Sequence, residues 1–357
     1  MNKNFKKTYH FPWLDALRFL AAFLVLLSHS RNDFFLPFNK LPLSEQNILS
    51  SLFYFIGRLG HEAVIVFFVI SGFLVGGIGL ERIINRTFNL KLYVIDRSVR
   101  IYIPLLAAII LYYIICILLN INFNWIAAIG NFFNLQGILV DSLVSPFWSL
   151  SYEVWFYIIL ASIALIFTKK NIYGYLLFCI CCIIFISLEA RYLFMWFLGA
   201  FAYLCKPTKK KNLILIVALL GIISMVVLSQ LSSESHIFKF RILLSKDLIE
   251  FFLSIFICLF IQQIILDKSI EKNTYLRIIE KNFSYLSSFS YTLYLSHRII
   301  FLILFCFWDQ GKATFTFLNI ISYSIFILLT MLSCWCVYYI SEKYTSNIKS
   351  CIKNYIQ

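Results

Sequence analysis

The chain has 357 residues, 61% of them hydrophobic and only 13% charged, whereas water-soluble domains carry about 25% charge. Thirty-eight Phe, 21 Tyr and 7 Trp against 12 Gly and 6 Pro exclude a disordered or collagen-like chain, and a mean hydropathy of +0.85 exceeds what a soluble surface tolerates. The composition predicts an all-α polytopic membrane protein, and the formal net charge of +14 has to be read position by position.

A membrane span needs about 20 mostly apolar residues, and that rule predicts ten spans. They run from Leu14 to Ser30, Ala63 to Leu80, Ile101 to Leu119, Phe147 to Phe167, Tyr173 to Leu188, Tyr192 to Cys205, Leu213 to Ser229, Leu248 to Leu266, Leu286 to Trp308 and Phe317 to Ile340; the fifth and sixth are short. All six prolines fall at predicted ends or in loops, with Pro104 in a first turn. Ser145-Pro146 reads as an N-cap followed by proline at the first helical position, which sets the start of the fourth span. Lys3, Lys6 and Lys7 ahead of an apolar run imitate a signal peptide, but Asp15 and Arg18 interrupt that run, so cleavage is rejected. The ten cysteines are scattered without CxxC or Cys/His spacing and read as small apolar filler, with no metal site expected. The expectation is one transmembrane domain over 1–357, with short tails at 1–12 and 341–357 and no appended soluble domain.

With both termini inside, 21 Lys and Arg fall on the cytoplasmic side and eight outside, and the segment from Asn120 to Phe147 carries none. That bias follows the positive-inside rule. It also accounts for most of the net charge, so a nucleic-acid partner is not expected; the partner is the lipid bilayer.

Ionisable residues inside spans cost a few kcal/mol and mark function by default. In the first span, LDALRFLAAFLVLLSHS, Arg18 and His29 are eleven residues apart, so both lie on one helical face about 16 Å apart along the axis. A local Asp15–Arg18 pair with an interfacial His29 is an equally good reading. DRSVRIYIPL, entering the third span, places Arg97 and Arg100 on one face at the cytoplasmic surface. Two guanidiniums so spaced suit a pyrophosphate or sugar phosphate; ordinary positive-inside anchoring explains them as well. The fourth span opens FWSLSYEVWF, with Ser149 and Glu153 on one face and Trp148 and Trp155 offering flat surfaces for a sugar ring. An aromatic belt accounts for the tryptophans but not for Glu153, which is expected at a depth similar to His29. In SYTLYLSHRIIF of the ninth span, Ser290, Tyr294 and His297 share a face; a structural, hydrogen-bonded histidine is the alternative. If the four helices are neighbours, these groups line a column from a phosphate-binding mouth inside to a His/carboxylate pair near the outside.

Six pieces in order carry a resemblance: Arg18 followed by ten residues and His29, FFVISGFL at Phe67 to Leu74, Arg97 and Arg100 ahead of Pro104, WSLSYE at Trp148 to Glu153, FLGA at Phe197 to Ala200, and SYTLYLSH at Ser290 to His297. Together they resemble the integral-membrane acyltransferase family 3, whose bacterial members O-acetylate surface polysaccharides, over nearly the whole chain. Members often end the last span with Glu, any residue, Pro, where this chain has Glu342-Lys343-Tyr344, a departure that bears on the tail.

The resemblance implies a bacterial inner-membrane enzyme with acetyl-CoA as co-substrate, no bound cofactor, and a sugar hydroxyl of O antigen, capsule, exopolysaccharide or a lipid-linked precursor as acceptor. A sugar hydroxyl needs a positioned base. His29 is expected to be that base, oriented by Glu153, with Ser149 and Ser151 supplying hydrogen bonds and Arg97, Arg100 and Arg18 holding the donor. Trp148, Tyr294 and His297 would support the acceptor, and Gly72 in SGF, next to Ser71, would allow close helix approach. His61-Glu62 would add to the acceptor mouth. A flippase or transporter for a lipid-linked sugar, or an acyltransferase using succinyl-CoA, remain as alternatives. The inverted repeats and Gly/Pro-broken helices common in transporters are not evident in the chain.

Overall fold

The computed structural model describes residues 12–169, 171–205, 210–232, 245–265, 283–308 and 311–356. Among them the regular structure is helical: α1 (Pro12–Phe34), α2 (Ile48–Ile56), α3 (Gly60–Ser71), α4 (Ile78–Ile84), α5 (Leu90–Leu118), α6 (Trp125–Phe132), α7 (Trp148–Lys169), α8 (Ile172–Ser187), α9 (Ala190–Leu204), α10 (Lys211–Ser232), α11 (Lys246–Ile265), α12 (Ser290–Cys306), α13 (Phe317–Ile340) and α14 (Thr345–Ile356). Seven helical stretches are long and apolar enough to cross a membrane. The shorter apolar helices α8, α9 and α12 stand where the fifth, sixth and ninth spans are expected, so the polytopic all-α reading holds. Residues 1–11 of the expected tail at 1–12 and the basic residues Lys268 to Lys281 lie outside the described residues.

Boundaries differ from expectation where polar caps outrank hydropathy. Asn89 accepts from the backbone N–H of Leu92 at 3.1 Å and starts α5 at Leu90, eleven residues before the predicted span. Pro104 therefore lies inside the helix, not in its first turn, and having no N–H it leaves the Arg100 carbonyl without its helical donor. Ser145 is not an N-cap: it opens a 3-10 turn (Ser145–Phe147) whose cap is Val144, with no side-chain cap bond, and α7 begins at Trp148. The polar-capped short helices α2 and α6, under Asn47 and Asn124, and the terminal α14 were not predicted, being too short for a hydropathy rule.

Lipid is as apolar as leucine, so the bundle is held by close packing and small residues. α3 packs on α1 and α9, α12 on α1, α5 and α13, and α10 on α11. α3 runs through a π turn (Gly72–Gly77) into α4, a local unwinding frequent at functional sites. A Cβ on Gly72 would stand 1.9 Å from the Trp196 carbonyl oxygen, and one on Gly199 would stand 2.2 Å from that of Val69. The SGF and FLGA segments thus press backbone against backbone, as the close-approach reading of Gly72 requires. In contrast, α10 buries only 11% of its apolar window, against 61% for α7. Its exposed Leu213, Ile216, Leu220 and Ile223 face the surroundings of the bundle.

Candidate active site

α1, α3, α5, α7 and α12 surround a cleft of about 70 Å³. Because α5 starts early, Arg97 and Arg100 sit well inside it and their side chains line the cleft together with Arg18 of α1. Arg18 donates to Asp15 at 3.4 Å, and Arg97 lies 5.5 Å from the Tyr157 ring centroid. Among the described residues neither Arg97 nor Arg100 forms an ion pair. Three guanidiniums thus converge on a cleft whose lining includes one carboxylate, Glu153.

Glu153 accepts a hydrogen bond from the Tyr157 hydroxyl one turn along α7. Tyr157 also meets Ser71 Oγ at 3.3 Å, to which Trp196 Nε1 donates at 3.1 Å, while the Tyr93 hydroxyl donates to the Tyr157 carbonyl at 3.0 Å. This network fixes the ring beneath Arg97. Ser149 and Glu153 face the cleft from successive turns, and Ser149 Oγ lies 2.7 Å from the Tyr294 hydroxyl. Ser151, about 200° around the helix from Ser149, is buried, donates to the Trp148 carbonyl at 3.3 Å and does not line the cleft.

His29 is not paired with Glu153. Its Nδ1 lies 2.8 Å from Nε2 of His297, the rings nearly parallel at 13°, whereas Glu153 faces the arginines. The expectation of equal depth fails because α5 and α7 bring Arg97, Arg100 and Glu153 to one level, and α12, the neighbour of α1, supplies an imidazole instead. The pair has a defined tautomer. His297 Nδ1 lies 2.9 Å from the Leu293 carbonyl, which can only accept, so Nδ1 carries the proton and Nε2 is the acceptor. Neutral His29 must then donate from Nδ1, leaving its own Nε2 with a free lone pair. Arg298, the residue after His297, bonds Asp33, one turn along α1 from His29, and this second clamp between α12 and α1 sets the register of the two rings. Tyr294 joins the two parts: it lines the cleft and stands edge-on to His297 at 6.3 Å.

Arg18, Ser71, Arg97, Arg100, Ser149, Glu153 and Tyr294 therefore share one cleft, with His29 and His297 beside it. Trp148 lies outside the cleft lining, stacked near His61 with 6.4 Å between centroids. Glu62 separates from His61 and accepts from Ser229 Oγ at 2.6 Å. Tyr157 was missed by the sequence reading, although its spacing of four from Glu153 was a usable signal. Glu342 was read only as a departure in the tail; its carboxylate accepts from the Thr292 N–H at 3.1 Å and hydroxyl at 2.6 Å, tying the end of α13 to the first turn of α12.

No curated protein and no solved structure matches the chain. The acyltransferase-domain family does match, over residues 11–339, which include the cleft and the histidine pair; the chain belongs to the integral-membrane acyltransferase family 3.

Proposed function

We propose that this membrane acyltransferase moves an acetyl group from cytoplasmic acetyl-CoA to a sugar hydroxyl of a surface polysaccharide or its lipid-linked precursor. In this reading both termini and the arginine end of the cleft face the cytoplasm of the bacterial inner membrane. One observation carries it: Arg18, Arg97 and Arg100 converge on a cleft whose lining includes one carboxylate, Glu153, an excess of positive charge suited to the phosphates of an anionic donor. The narrow cleft would admit the slender pantetheine arm and leave the bulkier nucleotide at its mouth. The phosphates would stay at Arg97 and Arg100 while the thioester reaches the Tyr294 end.

The free lone pair on His29 Nε2 makes it the base. As the sugar oxygen attacks the thioester carbonyl, His29 takes the hydroxyl proton and becomes an imidazolium whose Nδ1–H still bonds His297 Nε2. Collapse of the tetrahedral intermediate breaks the carbon–sulfur bond, and the imidazolium returns its proton to the departing thiolate. Glu153 has no part in orienting His29; with Tyr157 it holds the donor end.

The test is proton NMR of surface polysaccharide from cells with the wild-type gene, a deletion, or His29→Ala at matched membrane levels. Acetyl signals should vanish in the last two. An unchanged acetyl content in the deletion strain overturns acetylation of that polysaccharide, and full activity of His29→Ala overturns the assignment of the base.

A further inference from the structure

Away from the cleft, where α3, α9 and α11 begin, lies a second polar group that the transfer chemistry above does not use. His61 Nε2 lies 2.8 Å from Glu250 Oε1, with the Glu250 side chain 1% exposed and that of His61 30% exposed. A buried carboxylate is costly unless paired; here Oε1 meets the partly exposed His61 ring and, at 3.7 Å, Lys246 Nζ. Ionised Glu250 can only accept, so the proton sits on Nε2, and in the neutral ring His61 Nδ1 is left as an acceptor. Arg191 stands 3.4 Å from Glu250 Oε2 and also bonds Glu189 and Asp247, fixing the carboxylate from its other side.

An aromatic face adjoins this acceptor. The Trp148 ring is within 10° of parallel to His61, half-buried, and braced by Tyr152 and Tyr192, each at 5.7 Å between centroids. Trp148 directly precedes Ser149 of the cleft. Gly60 presses on α1 so closely that a Cβ there would lie 2.6 Å from Ser28 Cβ, which puts His61 at the level of His29.

We propose that Trp148 and His61, the latter oriented by Glu250, form a saccharide subsite: the indole packs on a pyranose ring and His61 Nδ1 accepts one of its hydroxyl hydrogens. This deepens the acetyl-transfer reading and rests on it. The subsite would hold the acceptor at the level of His29, on the side of Ser149 away from the arginines. Glu250 acts through His61 and is a positioning residue.

The experiment uses the full chain in nanodiscs, acetyl-CoA as donor, and surface polysaccharide from a deletion strain, freed of esters by mild alkali, as acceptor. His61→Ala and Trp148→Leu should each raise acceptor KM about tenfold, the effect of one lost hydrogen bond or contact of ordinary strength, with donor KM unchanged, which also certifies the fold. Glu250→Gln keeps an acceptor for the Nε2–H and should stay within about twofold of wild type, whereas Glu250→Ala should reproduce His61→Ala. Unchanged acceptor KM in His61→Ala and Trp148→Leu, with wild-type transfer intact, overturns the subsite alone. Equal changes in donor and acceptor KM would reveal a merely structural pair and overturn it too. Failure of the wild-type protein to transfer acetyl to this acceptor overturns the proposed acceptor class and the subsite with it.

Discussion

Among the described residues Arg97 and Arg100 form no ion pair, and with Arg18 they share a cleft lined by one carboxylate, Glu153, whereas Arg191, where α9 begins, is ion-paired with Glu189, Asp247 and Glu250. The same side chain is left open in one region and neutralised in the other. Isolated cations inside an apolar bundle are expensive, so three guanidiniums sharing one cleft carboxylate persist when something else supplies further negative charge; in this protein we assign that part to the donor phosphates. Arg191 instead orders acidic groups that belong to the chain. The difference separates a surface built to receive an anion from one built to hold its own groups still.

The largest effect expected concerns the imidazole pair between these regions. His29→Ala should lower the transfer rate on the order of 10³-fold, the usual size of a general-base contribution, without changing the affinity for CoA by calorimetry. Weakened CoA binding in this variant would move His29 into the donor site and break the division of labour.

Next in size, Arg97→Ala should weaken CoA binding about tenfold to a hundredfold, as expected for loss of a charge-assisted hydrogen bond of about 1.5–3 kcal/mol. Arg191→Ala should leave CoA binding unchanged and lower the Tm in detergent, since it strands buried Glu250 beside one fewer cation. A loss of CoA affinity in Arg191→Ala would erase the contrast. Smaller still, Glu153→Gln should shift the donor KM by a few-fold while leaving the acid limb of the pH–rate profile in place, because Glu153 bonds Tyr157 and not His29. A displaced acid limb would restore the Glu153–His29 pairing that the spacing suggested.

Much of this was legible in the sequence. Hydropathy located the helices, and the shared faces of Ser149 with Glu153 and of Tyr294 with His297 followed from a period of 3.6 residues. Periodicity along one helix cannot tell which neighbour it faces, so the carboxylate partner expected for His29 was misassigned and that of His61 was not foreseen. His29 was given Glu153 and has His297; His61 was grouped with its sequence neighbour Glu62 and has Glu250, nearly two hundred positions away. Glu250 stands in the first turn of the predicted span from Leu248 to Leu266 and is not among the ionisable residues singled out there. The early start of α5 rests on Asn89, a single capping side chain that carries no weight in an average over 20 residues.

The smallest expected effect lies at the tail, where the missing Glu-x-Pro proline left the conformation open. Glu342 to Tyr344 form a 3-10 turn, and α14 then folds back on α5. Lys349 and Lys353 both lie 2.8 Å from an Asp96 carboxylate oxygen, and Asp96 is next to Arg97. These side chains are partly exposed, and such pairs contribute under about 1 kcal/mol each, so the double variant Lys349→Ala/Lys353→Ala should barely move the Tm. Its electrostatic consequence has a definite sign: without the two ammonium groups, the Asp96 carboxylate acts unopposed beside Arg97 and opposes an incoming phosphate. CoA affinity should fall, by less than about threefold at 0.15 M salt, where screening acts over roughly 8 Å, and the deficit should grow at lower ionic strength. A gain in affinity would mean that α14 obstructs the cleft mouth instead of tuning its charge. A loss as large as that of Arg97→Ala would place the two lysines among the groups that hold the donor, extending the donor-binding region beyond the cleft into the tail.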